Sequence, residues 1–356
     1  MIHLKSKTIF SFLLMISIVE LDNNMAISAT SVAPTFTTKK KIDVYVAGYT
    51  NNGQGEVATY WKNGVATYLN GKHSKANGIA VVGNDVYVAG EEYEGRRSIA
   101  MYWKNGVAIR LSDGSKDAKT RGLAISGRDV YIVGFEVNNK GRNVAKYWKN
   151  GKEVILSDGK NWETALAICV TGNDVYVVGF EQDDLNLNFA KYWKNGNPVI
   201  LGPKIRYNET FASGITVVGN DVYIAGQQTG VRGYLVKYWK NGKETNITND
   251  GSPGGCSRGI AVVGNNIYVT GAENGSDHML APKYWKNGKE VNLSTEKRKH
   301  NGYAEAIAVA GHDVYVAGEE DNGKCGVAEY WKNGKVVYLG DGKHPSRATA
   351  IAVVHQ

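Results

Sequence analysis

The sequence predicts an all-β protein, a seven-bladed β-propeller with four antiparallel strands in each blade. Three observations predict it: a two-part motif recurs seven times, its copies lie 42 to 47 residues apart, and each copy contains four runs of strand-forming residues. A period of about 40–50 residues rich in β-formers is typical of propeller blades. The composition agrees, since 43 glycines and only 6 prolines among 356 residues suit a protein with many tight turns.

The recurring motif has a strand half and a hairpin half. The strand half reads DVYVAG or a close variant and begins at Asp43, Asp85, Asp129, Asp174, Asp221, Asn266 and Asp313. The hairpin half reads YWKNG and begins at Tyr60, Tyr102, Tyr147, Tyr192, Tyr238, Tyr284 and Tyr330. Its Asn-Gly pair favours a type I′ turn, because both central residues of that turn need a positive φ.

The second repeat shows how the four strands follow one another. A small apolar run at residues 78–82 predicts the first strand, and residues 86–90 predict the second after a Gly-Asn-Asp turn. Residues 99–103 predict the third strand, and the fourth follows the Asn-Gly hairpin and ends at Leu111. Four antiparallel strands in each repeat form a propeller blade.

The two ends of the folded region predict how the ring closes. The region opens with a second strand at Asp43 and closes with a lone first strand at residues 350–354. We expect the C-terminal strand to pair with the three N-terminal strands in one blade, which gives seven blades and leaves no open inner edge.

The N-terminal residues differ in kind from the repeats. Lys5 and Lys7 precede an eleven-residue apolar run at residues 9–19, and small residues follow near Ala29. This pattern predicts a signal peptide over residues 1–29, a linker over 30–41, the propeller over 42–356, and a secreted or periplasmic protein. The run is too short for a permanent membrane anchor. The alternative is a buried N-terminal strand or helix.

The repeats resemble those of WD-repeat and kelch propellers, in which an aromatic residue also ends the third strand. The resemblance covers residues 42–356. The WD signature itself is absent, because a lysine follows each tryptophan of the motif. The sequence is more similar to secreted bacterial propellers with YWKNG-type repeats, and that resemblance implies no catalytic residues.

Loop lengths divide the predicted ring into two faces. The turns between first and second strands and between third and fourth strands are short and uniform, and they form what we call the tight-turn face. The second-to-third loops and the connections between blades vary in length and composition, and they form the variable-loop face. Because binding sites usually lie on variable loops held by a rigid scaffold, we expect partners to bind the variable-loop face.

Two groups of residues on the variable-loop face are candidate binding residues. One group stands two residues after the strand glycine and comprises Glu92, Glu136, Glu181, Gln228, Glu273 and Glu320. These side chains could bind a cation or a polar ligand. The alternative is that they only start a solvated loop, in which they could pair with Lys146, Lys191, Lys237 or Lys283 of the next strand. The other group comprises aromatic residues that differ between blades: Trp162, Tyr207 and Tyr303.

The lysine after each motif tryptophan lies on the tight-turn face. Hairpin pairing places it beside the aspartate that starts the second strand, so we expect a self-neutralised ring of Asp–Lys pairs there. This expectation argues against nucleic acid as a partner, although the net charge is +8. We expect the tryptophans themselves to be core residues, with sugar stacking as the alternative.

Searches for catalytic chemistry find no nucleophile elbow, zinc-binding motif or phosphate-binding loop. The sequence therefore predicts no metal and no cofactor. Cys256 and Cys325 lie on the same face and could form a disulfide. We expect a monomeric binding protein for a protein or glycan partner. A carbohydrate-binding lectin and a glycan-processing enzyme are the alternatives, and such an enzyme would gather two carboxylates or a His/Tyr/Arg set at the ring mouth.

Overall fold

The computed structural model describes residues 41–356 apart from 70–72, 203–204, 206–207, 276–277 and 295–299. The described residues form 28 strands in seven four-stranded antiparallel sheets, which confirms the predicted propeller. The predicted signal peptide, and the linker up to its last residue, lie outside the described residues. Within the described part, no helix is long and apolar enough to cross a bilayer.

The strands are numbered along the chain, and the blades are numbered from the sheet that contains the first strand. Blade 1 contains β1 (Ile42–Asn51), β2 (Glu56–Lys62), β3 (Val65–Tyr68) and β28 (Ser346–His355). Blade 2 contains β4 (Ser74–Val82), β5 (Asp85–Glu94), β6 (Arg97–Lys104) and β7 (Val107–Arg110). Blade 3 contains β8 (Ala118–Ser126), β9 (Asp129–Val137), β10 (Asn143–Lys149) and β11 (Lys152–Ile155). Blade 4 contains β12 (Trp162–Thr171), β13 (Asp174–Gln182), β14 (Asn188–Lys194) and β15 (Asn197–Ile200). Blade 5 contains β16 (Thr210–Val218), β17 (Asp221–Gly230), β18 (Gly233–Lys240) and β19 (Lys243–Asn246). Blade 6 contains β20 (Gly255–Val263), β21 (Asn266–Asn274), β22 (Leu280–Lys286) and β23 (Lys289–Asn292). Blade 7 contains β24 (Gly302–Ala310), β25 (Asp313–Asp321), β26 (Gly326–Lys332) and β27 (Lys335–Tyr338).

The first strands of the blades form the inner wall of the ring. In order around the ring they are β28, β4, β8, β12, β16, β20 and β24, and each packs against the next, with β24 returning to β28. A central channel therefore runs through the molecule, and the inner strands supply its wall.

Pairing of β28 with β1 closes the ring as predicted. The pairing extends from Ile42↔His355 to Thr50↔Ser346, and the backbone nitrogen of Gln356 donates a hydrogen bond to the carbonyl oxygen of Lys41. Blade 1 thus has the strand order β28-β1-β2-β3.

The motif tryptophans form the core between the blades, as expected. They are 0 to 2 % exposed, and they are Trp61, Trp103, Trp148, Trp193, Trp239, Trp285 and Trp331. Each packs against residues of a neighbouring blade; Trp148 of β10, for example, lies in one cluster with Tyr87 and Ala89 of β5. The adjacent tyrosines are mostly half-buried.

The tight-turn face carries the predicted Asp–Lys ring. Lys104 Nζ lies 2.9 Å from Asp85 Oδ2, and the same contact recurs in the other blades that start the second strand with aspartate. The turn asparagine Asn105 has a φ of 51° and donates from Nδ2 to Asp85 Oδ1 at 2.8 Å. The three cysteines are free thiols, so Cys256 and Cys325 are not joined.

Candidate functional site: the channel mouth

Every inner strand contains a β-bulge at the same position. In blade 2 the register passes from Ala76↔Gly90 to Gly78↔Ala89, so no residue of β5 lies directly opposite Asn77 in the strand pairing. Such a bulge bends the strand and redirects the extra side chain. The corresponding bulge residues around the ring are Asn77, Arg121, Leu166, Ser213, Arg258, Glu305 and Thr349.

The glycine that ends the DVYVAG motif leaves room for the inner strand beside the bulge. A Cβ at Gly90 would lie only 2.0 Å from the carbonyl oxygen of Lys75, two residues before the bulge residue Asn77. This close approach of the two backbones explains why every repeat keeps glycine at this position.

The bulge residues line a cavity of about 490 Å³ in the channel. The other residues that line it lie at the beginnings of inner strands or near the ends of second strands: Tyr49, Lys75, Glu91, Tyr93, Lys119 and Arg347. Since inner strands begin where the connections between blades end, the cavity opens on the variable-loop face. We call this cavity the channel mouth.

A second cavity of about 300 Å³ continues along the channel toward the tight-turn face. It shares most of the bulge residues with the channel mouth, but its remaining wall is apolar and includes Ile79, Leu123 and Ile168. The ring of bulge residues therefore separates a polar upper chamber from an apolar lower one.

The repeat loses its regularity at the channel mouth. The bulge residues of successive blades are threonine, asparagine, arginine, leucine, serine, arginine and glutamate, whereas the motif residues of the same blades are nearly identical. The residues two positions before the bulge differ as well: Lys75, Lys119, Thr164, Phe211, Cys256, Tyr303 and Arg347. A nearly symmetric scaffold thus surrounds a site in which almost every blade contributes a different group.

Blades 1, 6 and 7 contribute a cluster of arginine, glutamate and tyrosine. Glu305 lies between two guanidinium groups, with Arg258 Nε at 3.2 Å from its Oε2 and Arg347 Nη2 at 2.5 Å from its Oε1. Arg347 Nη1 also lies 3.1 Å from Glu319 Oε1. The Tyr303 ring packs against both arginines, whose guanidinium carbons are 5.8 and 5.7 Å from its centroid.

Blade 2 contributes a buried carboxylate. Glu91 is 2 % exposed and accepts hydrogen bonds from Asn77 Nδ2 and from the Tyr93 hydroxyl, the latter at 3.3 Å. Burial raises the pKa of Glu91, and the nearby positive charges of Arg121 and Lys119 only partly oppose that effect.

The predicted glutamates and glutamine do not line the channel mouth, and four of the six contact a lysine of the next strand in their own blade. Glu136, Glu181 and Glu273 pair with the next strand's Lys146, Lys191 and Lys283 at 2.9, 3.1 and 2.8 Å, and Gln228 accepts a hydrogen bond from Lys237. Glu320 accepts a hydrogen bond from the Ser294 hydroxyl at 2.7 Å, and burial raises the pKa of the half-buried Glu92. Pairing with the next strand's lysines is therefore confirmed for four of the six residues, but Glu181, Glu273 and Glu320 are 1 to 7 % exposed and are not part of a solvated loop. A role of these residues in binding stays a prediction.

Glu91 of the channel mouth and Glu319, which pairs with Arg347 of the channel mouth, each stand one residue before a predicted glutamate. Successive side chains of a strand point to opposite sides, so Glu91 and Glu92 lie on opposite sides of β5, and Glu319 and Glu320 lie on opposite sides of β25. One signal in the sequence could have identified this position: the residue after the motif glycine is Tyr, Glu, Phe, Phe, Gln, Ala and Glu in successive blades.

The predicted aromatic residues lie in different places in the structure. Tyr303 belongs to the arginine–glutamate cluster, whereas Trp162 is 43 % exposed at the start of β12 and does not line the channel mouth. Tyr207 lies outside the described residues. Arg121, Arg258, Arg347, Lys119 and Glu305 were not identified from the sequence, because nothing in it marks the position of the bulge.

Comparisons with known proteins identify no family. No protein-family model matches the chain, and no curated protein matches its sequence. A thermostable family-43 glycoside hydrolase is similar in structure at 11% identity and a TM-score of 0.42, over 65% of this chain and 97% of that one. An acylaminoacyl peptidase from Pyrococcus horikoshii is similar at 14% identity and a TM-score of 0.49, over 85% of this chain and 51% of that one. Similarities this weak carry no argument about function.

Proposed function

We propose that the chain is an exported, non-enzymatic binding propeller that takes a glycan or a protein segment into the channel mouth on its variable-loop face. The predicted signal peptide supports export, and so does the resemblance of the YWKNG repeats to those of secreted bacterial propellers. A lectin is the specific form of this proposal, and the size of the channel mouth favours it, because small-molecule sites typically measure about 300–1,000 Å³.

The irregularity of the bulge ring is the observation that carries the proposal. If the bulge served only to bend the inner strand, one residue type would suffice in all seven blades, as it does for the motif tryptophan and glycine. Different groups at equivalent positions instead create a single asymmetric site. Such a site suits one ligand with a defined orientation rather than seven identical ligands.

The test is to block the channel mouth and measure binding. Saturation-transfer NMR with a panel of mono- and disaccharides and a panel of short peptides would identify ligands of the wild-type protein. Leu166→Trp places an indole among the bulge residues and should abolish binding. Val107→Trp, in which the replaced side chain is 66% exposed beside a tight turn, is the matched control and should bind normally. The proposal fails if Leu166→Trp binds as the wild type does, or if neither panel contains a ligand.

The aromatic residues of the variable-loop face test the position of the interface more broadly. We expect Trp162→Ala and Tyr207→Ala each to weaken partner binding by about 1–3 kcal/mol, as truncation of an aromatic anchor does. Lys149→Glu and Lys240→Glu should leave affinity unchanged, because these lysines lie on the tight-turn face and pair with Asp129 and Asp221. Loss of binding with the lysine variants alone would indicate an anionic partner on the tight-turn face.

One observation favours glycan hydrolysis as a second candidate function. Glu91 and Glu305 line the same cavity in opposite surroundings, the first buried with a raised pKa and the second between two guanidinium groups. Glycosidases use such a pair, one carboxyl donating a proton to the leaving oxygen and the other acting as base or nucleophile. Release of reducing ends from oligosaccharides, lost in both Glu91→Gln and Glu305→Gln, would support this function; no release by the wild type would exclude it for the substrates tested.

A further inference from the structure

Two cations of the channel mouth lack a carboxylate partner. Lys119 and Arg121 lie on β8 and both line the cavity. Among the described residues, no carboxylate is within ion-pair distance of either one. The other three cations of the cavity are paired: Lys75 with Glu56 at 2.8 Å, and Arg258 and Arg347 with Glu305.

Aromatic rings hold both cations in place. Lys119 Nζ lies 5.6 Å from the centroid of the Tyr93 ring, and Arg121 Cζ lies 5.5 Å from that of Phe135. Cation–π contacts of this kind stabilise the charge but satisfy no N–H group. Arg121 Nε is shielded from solvent and has no hydrogen-bond partner among the described residues, and a buried donor without an acceptor is costly.

The carboxylate of Glu91 lines the same cavity but forms no ion pair with either cation. It accepts hydrogen bonds from Asn77 and Tyr93 instead, so the two cations face a single carboxylate that is already engaged. This side of the channel mouth therefore carries an excess of positive charge, with at least one donor that still needs an acceptor.

We infer that Lys119 and Arg121 form a subsite for the carboxylate of an acidic saccharide of one or two sugar units. This inference rests on the proposed function and names its ligand class. A carboxylate is favoured over a phosphate, because Glu305 lines the same cavity and would repel a group that carries up to about two negative charges more strongly than a group with one. The Tyr49 hydroxyl and the Asn77 amide line the same cavity and suit the hydroxyl groups of a sugar.

The experiment compares an acidic disaccharide with its uncharged methyl ester. Isothermal titration of the purified protein with digalacturonic acid and with its dimethyl ester, at low and at high salt, separates the carboxylate from the rest of the sugar. We expect the acid to bind at least about tenfold more tightly than the ester, because hydrogen bonds to charged groups are stronger than those to neutral groups. Galacturonic acid as a third ligand shows whether one sugar unit is sufficient.

Variants test the two residues themselves. Lys119→Met/Arg121→Met should lower affinity for the acid by at least about tenfold and leave that for the ester unchanged. Lys149→Met/Lys240→Met removes two cations from the tight-turn face and is the matched control. The unfolding transition shows whether the double variant folds. If it does not, the single variants Arg121→Lys, which retains the charge, and Lys119→Gln replace it in the experiment. Each single variant should lose part of the preference for the acid over the ester.

The outcomes separate this inference from the function on which it rests. Equal affinity for acid and ester, with both blocked by Leu166→Trp, overturns the carboxylate subsite and leaves a binding site in the channel mouth. An unchanged affinity of the double variant for the acid overturns the assignment of Lys119 and Arg121. Failure of digalacturonic and galacturonic acid to bind overturns the inference. Binding of tetraglutamate as tightly as the acid overturns the saccharide class in favour of an acidic peptide.

Discussion

Each motif tryptophan can pack against its own sheet and against the neighbouring blade at the same time. Trp103 lies against Gly90 of its own sheet, where an added Cβ would come within 2.9 Å of the indole, and it also packs in the cluster that contains Tyr45 and Ala47 of blade 1. In blades 3, 4 and 5 the ammonium of a buried lysine lies 5.3 to 5.9 Å from the indole of the tryptophan two residues later. The indole therefore fills the layer between blades and stabilises a cation there.

Truncating these tryptophans should be costly wherever the repeat places them. Trp148→Ala and Trp239→Ala should each lower the free energy of unfolding by about 3–5 kcal/mol, as truncations of buried aromatic residues do. Denaturant titration measures the change. Trp162→Ala is the matched control, since its side chain is 43% exposed, and it should cost about 0.5 kcal/mol or less. If a motif tryptophan were replaced without loss of stability, it would not be a core residue.

The buried Glu91 predicts a pH-dependent stability. Because burial raises its pKa above the usual 4.5, the folded state holds the proton more tightly than the unfolded state does. The free energy of unfolding then decreases as the pH rises from the usual pKa through the raised one. Glu91→Gln removes this effect, so its stability relative to the wild type should be greater at about pH 7.5 than at about pH 4.

Thermal unfolding at the two pH values measures this difference. Glu94→Gln is the control on the same strand, because Glu94 is exposed and pairs with Arg110 on the surface. If Glu91→Gln instead became relatively less stable at the higher pH, the ionised carboxylate would be the favoured form, held by Lys119 and Arg121, and the excess positive charge of the channel mouth would be smaller than inferred.

The β-bulge is the element that sequence reasoning could not place. Strands, turns, ring closure and the Asp–Lys pairs all follow from the period of the repeat and from the two-residue alternation of strands, and the structure confirms them. A bulge inserts one residue into that alternation, so Asn77 and its counterparts face the channel in a register that no pattern of apolar residues reveals. Glu91 and Glu319 stand one residue before the predicted Glu92 and Glu320, whose role in binding stays a prediction.

The closing strand β28 should be essential for folding. Deletion of residues 348–356 removes the inner strand of blade 1, including the hydrogen bonds from Thr349 Oγ1 to the carbonyl oxygens of Ala47 and Ala76. We expect the truncated chain to lose its cooperative unfolding transition. Without β28, the edge of β1 has no hydrogen-bonded partner, and the inner strands β4 and β24 lose the strand that packs between them. Deletion of Gln356 alone is the control, since it removes only contacts with Lys41 and Asp43. A cooperative transition in the longer deletion would show that the ring is stable without β28.

At the scale of the whole molecule, the two faces of the ring divide structure from recognition. The tight-turn face repeats the same Asp–Lys–Asn contacts from blade to blade, and these contacts need nothing beyond the local sequence of each repeat. The channel mouth draws on all seven blades, and its paired groups come from positions far apart in the chain, such as Glu305 and Arg258 or Arg347. Only the assembled ring brings them together, which is why inspection of single repeats could not identify the site.

The pairing of β28 with β1 also sets the order of events during folding. It joins residues about 300 positions apart in the chain, and Gln356 donates a hydrogen bond to Asp43 across 313 positions. Each of the other blades pairs strands that are close neighbours in the chain, so those sheets can form early. The pairing of β28 with β1 closes the largest loop in the molecule, and its entropic cost makes this pairing late. A slow final phase in refolding, in which six blades are already protected from hydrogen exchange and the seventh is not, is the kinetic signature that this topology implies.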